Sequence, residues 1–441
     1  MLLTGSVVRR PNLLLLIPDQ HRPDWVAGGG LPLRTPVLQG LAERGVTFER
    51  AYCTSPLCAP SRASLASGRH YAHCGVLDNT RIYPLDQPTF YQALRGAGYR
   101  VAGTGKFDLH KEVGDPAAAW WELDGSRLLD EWGFTDGIDS EGKLDGSNSY
   151  RGAGAPRGPY MKMLHDRGLA DRYVHEHAAR RDHLDAYTTA LPDDAYGDNW
   201  VAGNALQVLD RLPREVPWFL QVNFLGPHNP FDVTAAMRAR WEQVEFPPPH
   251  ANDHPDRTGL LRTRQNYAAM IENIDTWCGR ILDAVAARGE LDDTVVVYAS
   301  DHGEMLGDHG RWGKNTWREA AVRIPLVIAA PRAGGAGVST DALASLHDLA
   351  ATFLDWAGAE PMPGMDAVSL RPLVEGRRAA HRPVAVAALA DWRMVTDERH
   401  KLVVSPSHPP LLFDRTADEW EDHDLAAARP EVVDQLRMHL V

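Results

Sequence analysis

Short apolar segments that alternate with helical segments restrict the folds open to this chain. The first, Leu13–Ile17, is bounded by Pro18 and is too short to span a membrane, which indicates a buried strand. Strands that are apolar throughout are typical of a mainly parallel sheet covered by helices on both faces. The pattern predicts further strands at Tyr99–Gly103, Phe219–Phe224, Thr294–Ala299 and Pro325–Ala330, and helices at Pro36–Arg44, Asn199–Leu212, Arg264–Arg288 and Leu346–Trp356. We therefore expect a doubly wound α/β fold.

The 441 residues are enough for one large α/β domain with a smaller appendage. Residues 113–193 are rich in Gly, Asp, Arg and Trp and show little periodicity, which indicates an insertion that shapes a substrate pocket. The tail is expected to form an antiparallel sheet and a last helix, with strands at Trp392–Thr396, His400–Val404 and Leu411–Asp414 and the helix from Pro430. We expect a catalytic domain over residues 1–375 and a small C-terminal subdomain over residues 376–441.

The charge of the chain argues against nucleic acid as a partner. Its formal net charge is -13, whereas affinity for a phosphate backbone needs clustered Lys and Arg. The apolar run Leu13–Ile17 is also too short for the core of a signal peptide. We therefore expect a cytoplasmic protein without a membrane partner, and a homo-oligomer is left open.

Polar residues follow four of the predicted strands at their carboxyl ends. In open α/β sheets, ligands bind in the crevice at this edge. The residues concerned are Asp19-Gln20 after the first strand, Lys106 after the second, His228 after the third and Asp301-His302 after the fourth. The sequence thus predicts that four strand ends converge on one site.

The segment Cys58-Ala59-Pro60-Ser61-Arg62, which continues to Gly68-Arg69, is the most specific motif in the chain. It resembles the signature C-x-P-S-R of the type I sulfatases, which belong to the alkaline phosphatase superfamily, and a chance match in this context is rare. The resemblance implies a large, mostly parallel mixed sheet flanked by helices, with a small antiparallel C-terminal subdomain. It also implies hydrolysis of sulfate monoesters of small molecules.

The same resemblance implies that Cys58 is oxidised to formylglycine by a formylglycine-generating enzyme. The hydrated aldehyde would present two hydroxyls, of which one attacks sulfur and the other expels sulfate, whereas a serine ester of sulfate would be hard to hydrolyse. Arg62 is implied to hold this nucleophile by a charge-assisted hydrogen bond. The other cysteines, Cys53, Cys74 and Cys278, are expected to be buried apolar side chains.

One divalent metal ion is implied beside the nucleophile, because an alkoxide needs a cation to form at neutral pH. Asp19-Gln20 and Asp301-His302 match the two ligand pairs of the family, with Cys58 as a further ligand. Oxygen donors with one imidazole suit Ca²⁺ or Mn²⁺, with Mg²⁺ as an alternative. Many sulfatases carry Asp-Asp and Asp-Asn here, and the Gln and His variants resemble those of choline sulfatases and phosphonate monoester hydrolases.

Lys106 lies in a segment that resembles the family's G-K-x-H motif, in which the lysine binds a sulfate oxygen. This chain departs from the motif, because Asp108 stands two residues after the lysine and a histidine appears only at His110. Two interpretations of His110 stay open, a catalytic base and a surface histidine.

Two further cations match the family by context. His228 lies in a P-H-x-P segment and Lys314 follows the second metal pair, and either could be the general acid for the leaving group. Asn79 is implied to contact the substrate.

Three functions compete. The first is hydrolysis of sulfate monoesters, and the alternative is hydrolysis of phosphonate monoesters or phosphodiesters by the same site. The third, a non-catalytic binding protein, is disfavoured because every expected nucleophilic, acidic and basic position is occupied.

Overall fold

The computed structural model describes residues 10–111, 120–180, 182, 184–331 and 335–440. In chain order the strands are β1 (Asn12–Asp19), β2 (Val46–Phe48), β3 (Ala51–Tyr52), β4 (Arg100–Gly105), β5 (Asp136–Asp139), β6 (Tyr187–Thr188), β7 (Trp218–Pro227), β8 (Asp232–Val233), β9 (Thr294–Ala299), β10 (Arg323–Ile324), β11 (Leu326–Ala329), β12 (Val338–Thr340), β13 (Ala344–Ser345), β14 (Ala385–Leu389), β15 (Trp392–Thr396), β16 (His400–Ser405) and β17 (His408–Asp414).

The helices alternate with these strands over most of the chain. They are α1 (Pro36–Arg44), α2 (Cys58–Ser67), α3 (Phe90–Gly96), α4 (Leu129–Trp132), α5 (Lys143–Ala153), α6 (Pro159–Asp166), α7 (Ala170–Ala178), α8 (Gly197–Arg211), α9 (Ala235–Ala239), α10 (Arg257–Ala287), α11 (Glu319–Val322), α12 (Asp348–Ala357), α13 (Arg371–Val374) and α14 (Pro430–Arg437). None of the described helices is long and apolar enough to cross a membrane.

The central sheet has eight strands in the order β12-β2-β11-β9-β1-β7-β4-β5. Strands β9, β1, β7, β4 and β5 run parallel, whereas β11 pairs antiparallel with both β9 and β2. Every residue of β1, β7 and β9 is buried, as their continuous apolar sequences predict. The predicted fold class, a mixed and mostly parallel sheet between helices, is confirmed.

Both faces of this sheet are covered. Because side chains alternate along a strand, Leu13, Leu15 and Ile17 pack on one face, with residues of α2, α3 and α12. Leu14 and Leu16 pack on the opposite face, with residues of α1, α8 and α10. The sheet is therefore the middle layer of three.

The C-terminal part contains an antiparallel sheet in the order β14-β15-β16-β17, which confirms the predicted small sheet. One of its faces is covered by α14, where Val433 and Leu436 are buried. Its other face contributes Met394, Val403 and Phe413 to the core of the large domain. The boundary at residue 375 stays a prediction.

The predicted insertion contains α4 to α7 and has a small core of its own. Tyr160, Met161, Leu164 and Tyr173 are buried there against one another. Residues 113–119 of the predicted insertion and residue 183 lie outside the described part of the chain.

Candidate active site

The four central strands β9, β1, β7 and β4 are parallel neighbours, so their carboxyl ends lie side by side. Asp19 ends β1, Lys106 follows β4, His228 follows β7 and Asp301 follows β9 closely. The side chain of Lys106 contacts that of Asp19, and the predicted convergence of strand ends is confirmed. Gly105 permits the approach of β4, because its φ is +93° and a Cβ there would lie 2.0 Å from the carbonyl oxygen of Asn223.

Cys58 occupies the first position of α2, with its side chain buried at the point where the strands converge. Pro60 is tolerated because residues in the first helical turn need no partner for their N–H groups. Ser61 donates its hydroxyl to the carbonyl oxygen of Asp301 at 2.6 Å, which ties the helix to the end of β9. The helix ends at Gly68, in the left-handed region at φ +63°. The motif thus places the thiol at a helix N-terminus.

Asn79 supports this helix. Its side-chain oxygen accepts a hydrogen bond from the backbone N–H of Ala59 at 3.0 Å, which satisfies one of the free donors at the start of α2. The side chain is half-buried. The structure therefore gives Asn79 a contact with the nucleophile helix, and its contact with substrate stays a prediction.

Four predicted metal ligands form one buried cluster. Single ligand atoms of Asp19, Cys58, Asp301 and His302 all lie within 4.8 Å of one another. Nε2 of His302 is 3.3 Å from Sγ of Cys58, 3.7 Å from Oδ1 of Asp19 and 3.6 Å from Oδ2 of Asp301. Burial disfavours the imidazolium, yet Asp301 and Cys58 together outweigh burial, and the pKa of His302 lies above its ordinary value. The cluster therefore attracts positive charge.

Gln20 is held by two charged partners that fix its amide orientation. Its Nε2 donates to the carboxylate of Glu304, and its Oε1 accepts from Nζ of Lys314 at 2.6 Å. A lysine can only donate and an ionised carboxylate can only accept, so the amide has one favourable orientation. Glu304 also accepts from the backbone of Leu306 and Gly313. Glu304 was not among the predicted site residues, although it stands three residues after Asp301 in the same loop.

Arg62 bridges the two acidic ligands. Its Nε donates to Oδ2 of Asp301 at 2.9 Å and its Nη2 to Oδ2 of Asp19 at 3.4 Å. Its Nη1 donates to the side-chain oxygen of Asn223 at 3.1 Å, a partner that the sequence analysis did not identify. These contacts place Arg62 against the carboxylates of the cluster, and its hydrogen bond to a formylglycine at position 58 stays a prediction.

Lys106 and Lys111 share a carboxylate that replaces the histidine of the family motif. Oδ2 of Asp108 lies 2.8 Å from Nζ of Lys106 and 2.9 Å from Nζ of Lys111. Lys106 also contacts Asp19. Asp108 thus holds two buried ammonium groups next to the cluster, an arrangement that compensates the cost of burying each charge.

His110 is almost fully buried, at 1% exposure, so its interpretation as a surface histidine is wrong. Its Nε2 lies 2.7 Å from Oδ2 of Asp139, and its ring stacks on Trp132 at a centroid distance of 5.4 Å. The contacts found within the described residues join it to these groups and not to Cys58. A catalytic role for His110 stays a prediction.

His228 and Lys314 are the two predicted candidates for the general acid. Nζ of Lys314 is 3.2 Å from the thiol sulfur. Nδ1 of His228 bonds to the carbonyl oxygen of Asn229, which makes Nδ1 the donor and leaves Nε2 for the site. Burial and the nearby Lys314 hold the pKa of His228 below its ordinary value.

The thiol of Cys58 is strongly activated. Burial favours its neutral form, but the surrounding cations Lys106, Lys314, Lys111 and His302 together outweigh burial and hold the pKa of Cys58 well below its ordinary value. The other cysteines, Cys53, Cys74 and Cys278, are free and buried, as predicted, and burial raises the pKa of each. Position 58 is therefore electrostatically set apart from them.

Comparisons with known proteins agree with this geometry. A family model described as Sulfatase matches residues 11–359, and a second, described as N-sulphoglucosamine sulphohydrolase, C-terminal, matches residues 307–437. A choline-sulfatase of Rhizobium meliloti (strain 1021) is 30% identical over 468 residues, which cover 97% of this chain and 84% of that protein.

Two further relatives come from the wider superfamily. The multifunctional alkaline phosphatase superfamily protein PehA of Trinickia caryophylli is 28% identical over 482 residues, covering 95% of this chain and 91% of that protein. The crystal structure of the phosphonate monoester hydrolase of Agrobacterium radiobacter has a TM-score of 0.79 at 26% identity, covering 98% of this chain and 95% of that one. The likeness extends over nearly the whole chain.

Proposed function

The chain belongs to the sulfatase family, and from this premise we propose that it hydrolyses sulfate monoesters of small molecules through a formylglycine made from Cys58 and one divalent metal ion. One observation carries the proposal. The thiol of Cys58 lies at a helix N-terminus, in one cluster with the carboxylates of Asp19 and Asp301 and 3.2 Å from Nζ of Lys314.

Position 58 is proposed as the nucleophile. Formylglycine, when formed there, supplies a hydrated aldehyde with two hydroxyls, and the second provides a route to release the sulfate that a serine ester lacks. The chain's own residues orient that position, because Asn79 and Ser61 fix the first turn of α2. The partial positive charge of the helix N-terminus and the ammonium group of Lys314 favour an anion at the same place.

The ligand cluster fits a divalent cation. Its two carboxylates, one amide oxygen and one imidazole are the donor set expected for Ca²⁺ or Mn²⁺, with Mg²⁺ as an alternative, and the imidazole favours Mn²⁺. A bound cation would supply the charge that stabilises an alkoxide at position 58. Asp19, Asp301, His302 and position 58 would hold it, with Oε1 of Gln20 as a further ligand, and Arg62 would keep the two carboxylates in place.

Glu304 gives a test of this assignment. If its carboxylate orients Gln20, the change Glu304→Gln should weaken metal affinity about 10–100-fold, as is usual for partners that orient a ligand. Metal titration of the stripped protein followed by calorimetry measures it. Glu290→Gln, which alters a buried glutamate bonded to Trp218 and Arg288, is the control and should leave the affinity unchanged. Equal affinity in Glu304→Gln and the parent would remove Glu304 from the site.

The remaining cations are proposed to hold the substrate. Lys106 would bind an oxygen of the transferred group, and His228 or Lys314 would give a proton to the departing alkoxide. We favour His228 as the acid, because its Nδ1 is already committed to the carbonyl oxygen of Asn229 and its Nε2 is left to face the departing oxygen. Nζ of Lys314 donates to Gln20 and lies beside Cys58. These contacts suit a residue that holds the transferred group next to position 58 better than one that donates its proton to the leaving group.

Removal of the acid should affect poor leaving groups most. We expect His228→Ala to lower kcat/KM by about 10²-fold or more for unactivated aryl esters and much less for a nitrophenyl ester, because a weakly basic phenolate needs little protonation. Lys314→Ala should lower both rates alike, since contact with the transferred group does not depend on the leaving group. The measurement is kcat/KM across a series of substituted phenyl esters. A slope in His228→Ala equal to that of the parent would mean that His228 is not the acid.

The alternative, hydrolysis of phosphonate monoesters or phosphodiesters, is favoured by the pair Gln20 and His302 and by the likeness to the Agrobacterium radiobacter phosphonate monoester hydrolase. These substrates carry one negative charge, as sulfate monoesters do, whereas a phosphate monoester dianion would need more neutralisation. A panel of aryl sulfates, choline sulfate, sugar sulfates, phosphodiesters, phosphonate monoesters and phosphate monoesters separates the classes. We expect the highest kcat/KM for a sulfate monoester. A higher value for a phosphonate monoester or phosphodiester would establish the alternative.

We also propose a maturation partner and a cellular location for the protein. Formation of the aldehyde requires a formylglycine-generating enzyme. A cytoplasmic location, an assembly into homo-oligomers and the catalytic role of His110 remain parts of the proposal that rest on the sequence.

A further inference from the structure

A second group of metal-ligand side chains lies outside the site described above. It consists of His250, in the loop before α10, His309, in the loop after β9, and Asp422, between β17 and α14. None of the three has a role in the proposed reaction. We call this group the tail cluster, because Asp422 belongs to the C-terminal segment.

The distances in the tail cluster suit one ion. Nε2 of His250 lies 2.8 Å from Oδ2 of Asp422, and Nδ1 of His309 lies 3.7 Å from Oδ1 of the same carboxylate. One ligand atom from each residue can be chosen so that all lie within 4.8 Å of one another. Ligand atoms around a tetrahedral zinc ion are roughly 3.3 Å apart, given its bond lengths of about 2.0–2.1 Å. Small side-chain rotations would therefore complete a three-ligand shell.

The backbone already brings the two imidazoles together. The N–H of His309 donates to the carbonyl oxygen of His250 at 2.7 Å, and the N–H of His250 donates to Oδ1 of Asp308 at 2.9 Å. The ring of His250 stacks on Trp420 with a centroid distance of 4.3 Å and an interplanar angle of 11°. His309 has a left-handed backbone, with φ +54°. Neither imidazole thus depends on an ion for its position.

The outer contacts of His309 are compatible with ligation through Nδ1. Ligating imidazoles usually donate their other N–H to a carbonyl or carboxylate, and Nε2 of His309 lies 3.1 Å from the carbonyl oxygen of Trp420. Nη1 of Arg318 lies 2.8 Å from the same Nε2 and would have to give up that contact. Arg318 keeps two other acceptors, the carbonyl oxygens of Trp420 at 3.0 Å and Glu421 at 3.4 Å.

We propose that the tail cluster binds a zinc-type divalent cation and that this ion ties the C-terminal segment to the loop after β9. Two imidazoles and one carboxylate are a donor set that favours Zn²⁺ over Ca²⁺ or Mg²⁺. The side chains are 28%, 13% and 36% exposed for His250, His309 and Asp422, so an ion can reach them from solvent. The same loop carries Glu304 and Lys314, which links the ion to the catalytic domain. The proposal goes beyond the proposed function and does not depend on it.

Zinc binding to the tail cluster is tested in protein whose proposed catalytic metal site is disabled by the change Asp301→Asn. Tag-free, metal-stripped Asp301→Asn protein is titrated with Zn²⁺ by calorimetry, and metal content is measured after gel filtration. We expect one equivalent, and we expect His309→Gln or Asp422→Asn in the same background to weaken binding more than about 100-fold, since even outer-shell partners are worth about 10–100-fold. His423→Gln is the control, because His423 is adjacent to Asp422 but 81% exposed. Co²⁺ in place of Zn²⁺ should give a visible absorption band that is lost in His250→Gln.

Two results would overturn the tail-cluster site. One is the absence of zinc binding at micromolar concentration in the parent background. The other is equal zinc affinity in Asp422→Asn, His309→Gln and the His423→Gln control, which would make the cluster a hydrogen-bonded contact only. If Asp301→Asn does not fold, the same titration of the wild-type chain preloaded with Mn²⁺ decides between these outcomes.

Discussion

Cys58→Ala is expected to lower kcat/KM for an aryl sulfate by about 10⁴-fold or more, while the variant stays folded. The nucleophile is lost in this variant, and the other groups of the site cannot replace the covalent step. Folding should survive because the thiol makes no large packing contribution and alanine fits the start of α2. The measurements are steady-state kinetics and thermal unfolding.

A matched control separates the nucleophile from a merely buried cysteine. Cys278 is also free and buried, and it lies on α10 in the apolar core on one face of the central sheet. Cys278→Ala should change stability modestly and leave kcat/KM near the parent value. Activity in Cys58→Ala comparable to that in Cys278→Ala would show that position 58 is not the nucleophile.

Asp301→Asn is expected to remove the catalytic metal and to lower kcat/KM by about 10³-fold or more. A metal ion contributes several kcal/mol of charge stabilisation to a transition state, which corresponds to that factor. The change also removes one of the two carboxylates that bind the guanidinium of Arg62. Loss of a buried ion-pair partner lowers the free energy of unfolding by about 3–5 kcal/mol. Metal analysis, circular dichroism and kinetics on the same preparation distinguish metal loss from unfolding.

Asp275→Asn is the control for this variant. Asp275 is a buried carboxylate that accepts from the backbone of Val37 and Leu38 at the start of α1, and burial raises its pKa to about 6. The variant should lose some stability but keep its metal. Full metal occupancy in folded Asp301→Asn would contradict the assignment of Asp301 as a ligand.

Element type could be predicted wherever one physical signal dominated. The bounds of α1 and β9 match the predicted ones, because Pro36 and the apolar run from Thr294 mark them clearly. Helix α10 begins at Arg257 and not at Arg264, because Asp256 caps it by accepting from the N–H of Gly259 at 2.8 Å. Strand β14 was missed because its sequence, AVAAL, has little strand propensity.

Two signals predicted which side chains form the cluster around Cys58. They are the motif that contains Cys58 and the rule that ligands bind at the carboxyl ends of parallel strands. The rule works because parallel neighbours end at one edge, so Asp19, Lys106 and Asp301 are brought together by topology alone. Partners that arrive from loops do not follow from such a rule. Glu304 and Asp108 take positions set by the path of the chain after β9 and β4, and only the assembled structure shows which groups they contact.

The environment of a single side chain, such as that of His110, could not be predicted from the sequence. A histidine near a motif lysine can face the site, the solvent or the core, and sequence spacing does not distinguish the three. Packing between Trp132 and Asp139 decides that it is buried. Arg62 shows the same limit, since its motif position was predicted and its bridging of Asp19 and Asp301 was not.

Whether residue 58 becomes formylglycine decides the proposed mechanism. The chain would be produced with and without a formylglycine-generating enzyme, and the peptide that contains residue 58 analysed by mass spectrometry alongside kcat for an aryl sulfate. We expect replacement of sulfur by oxygen with loss of two hydrogens at residue 58, and activity proportional to the fraction converted. Protein that carries an unmodified Cys58 and turns over as fast as the converted form would show that formylglycine is not the nucleophile.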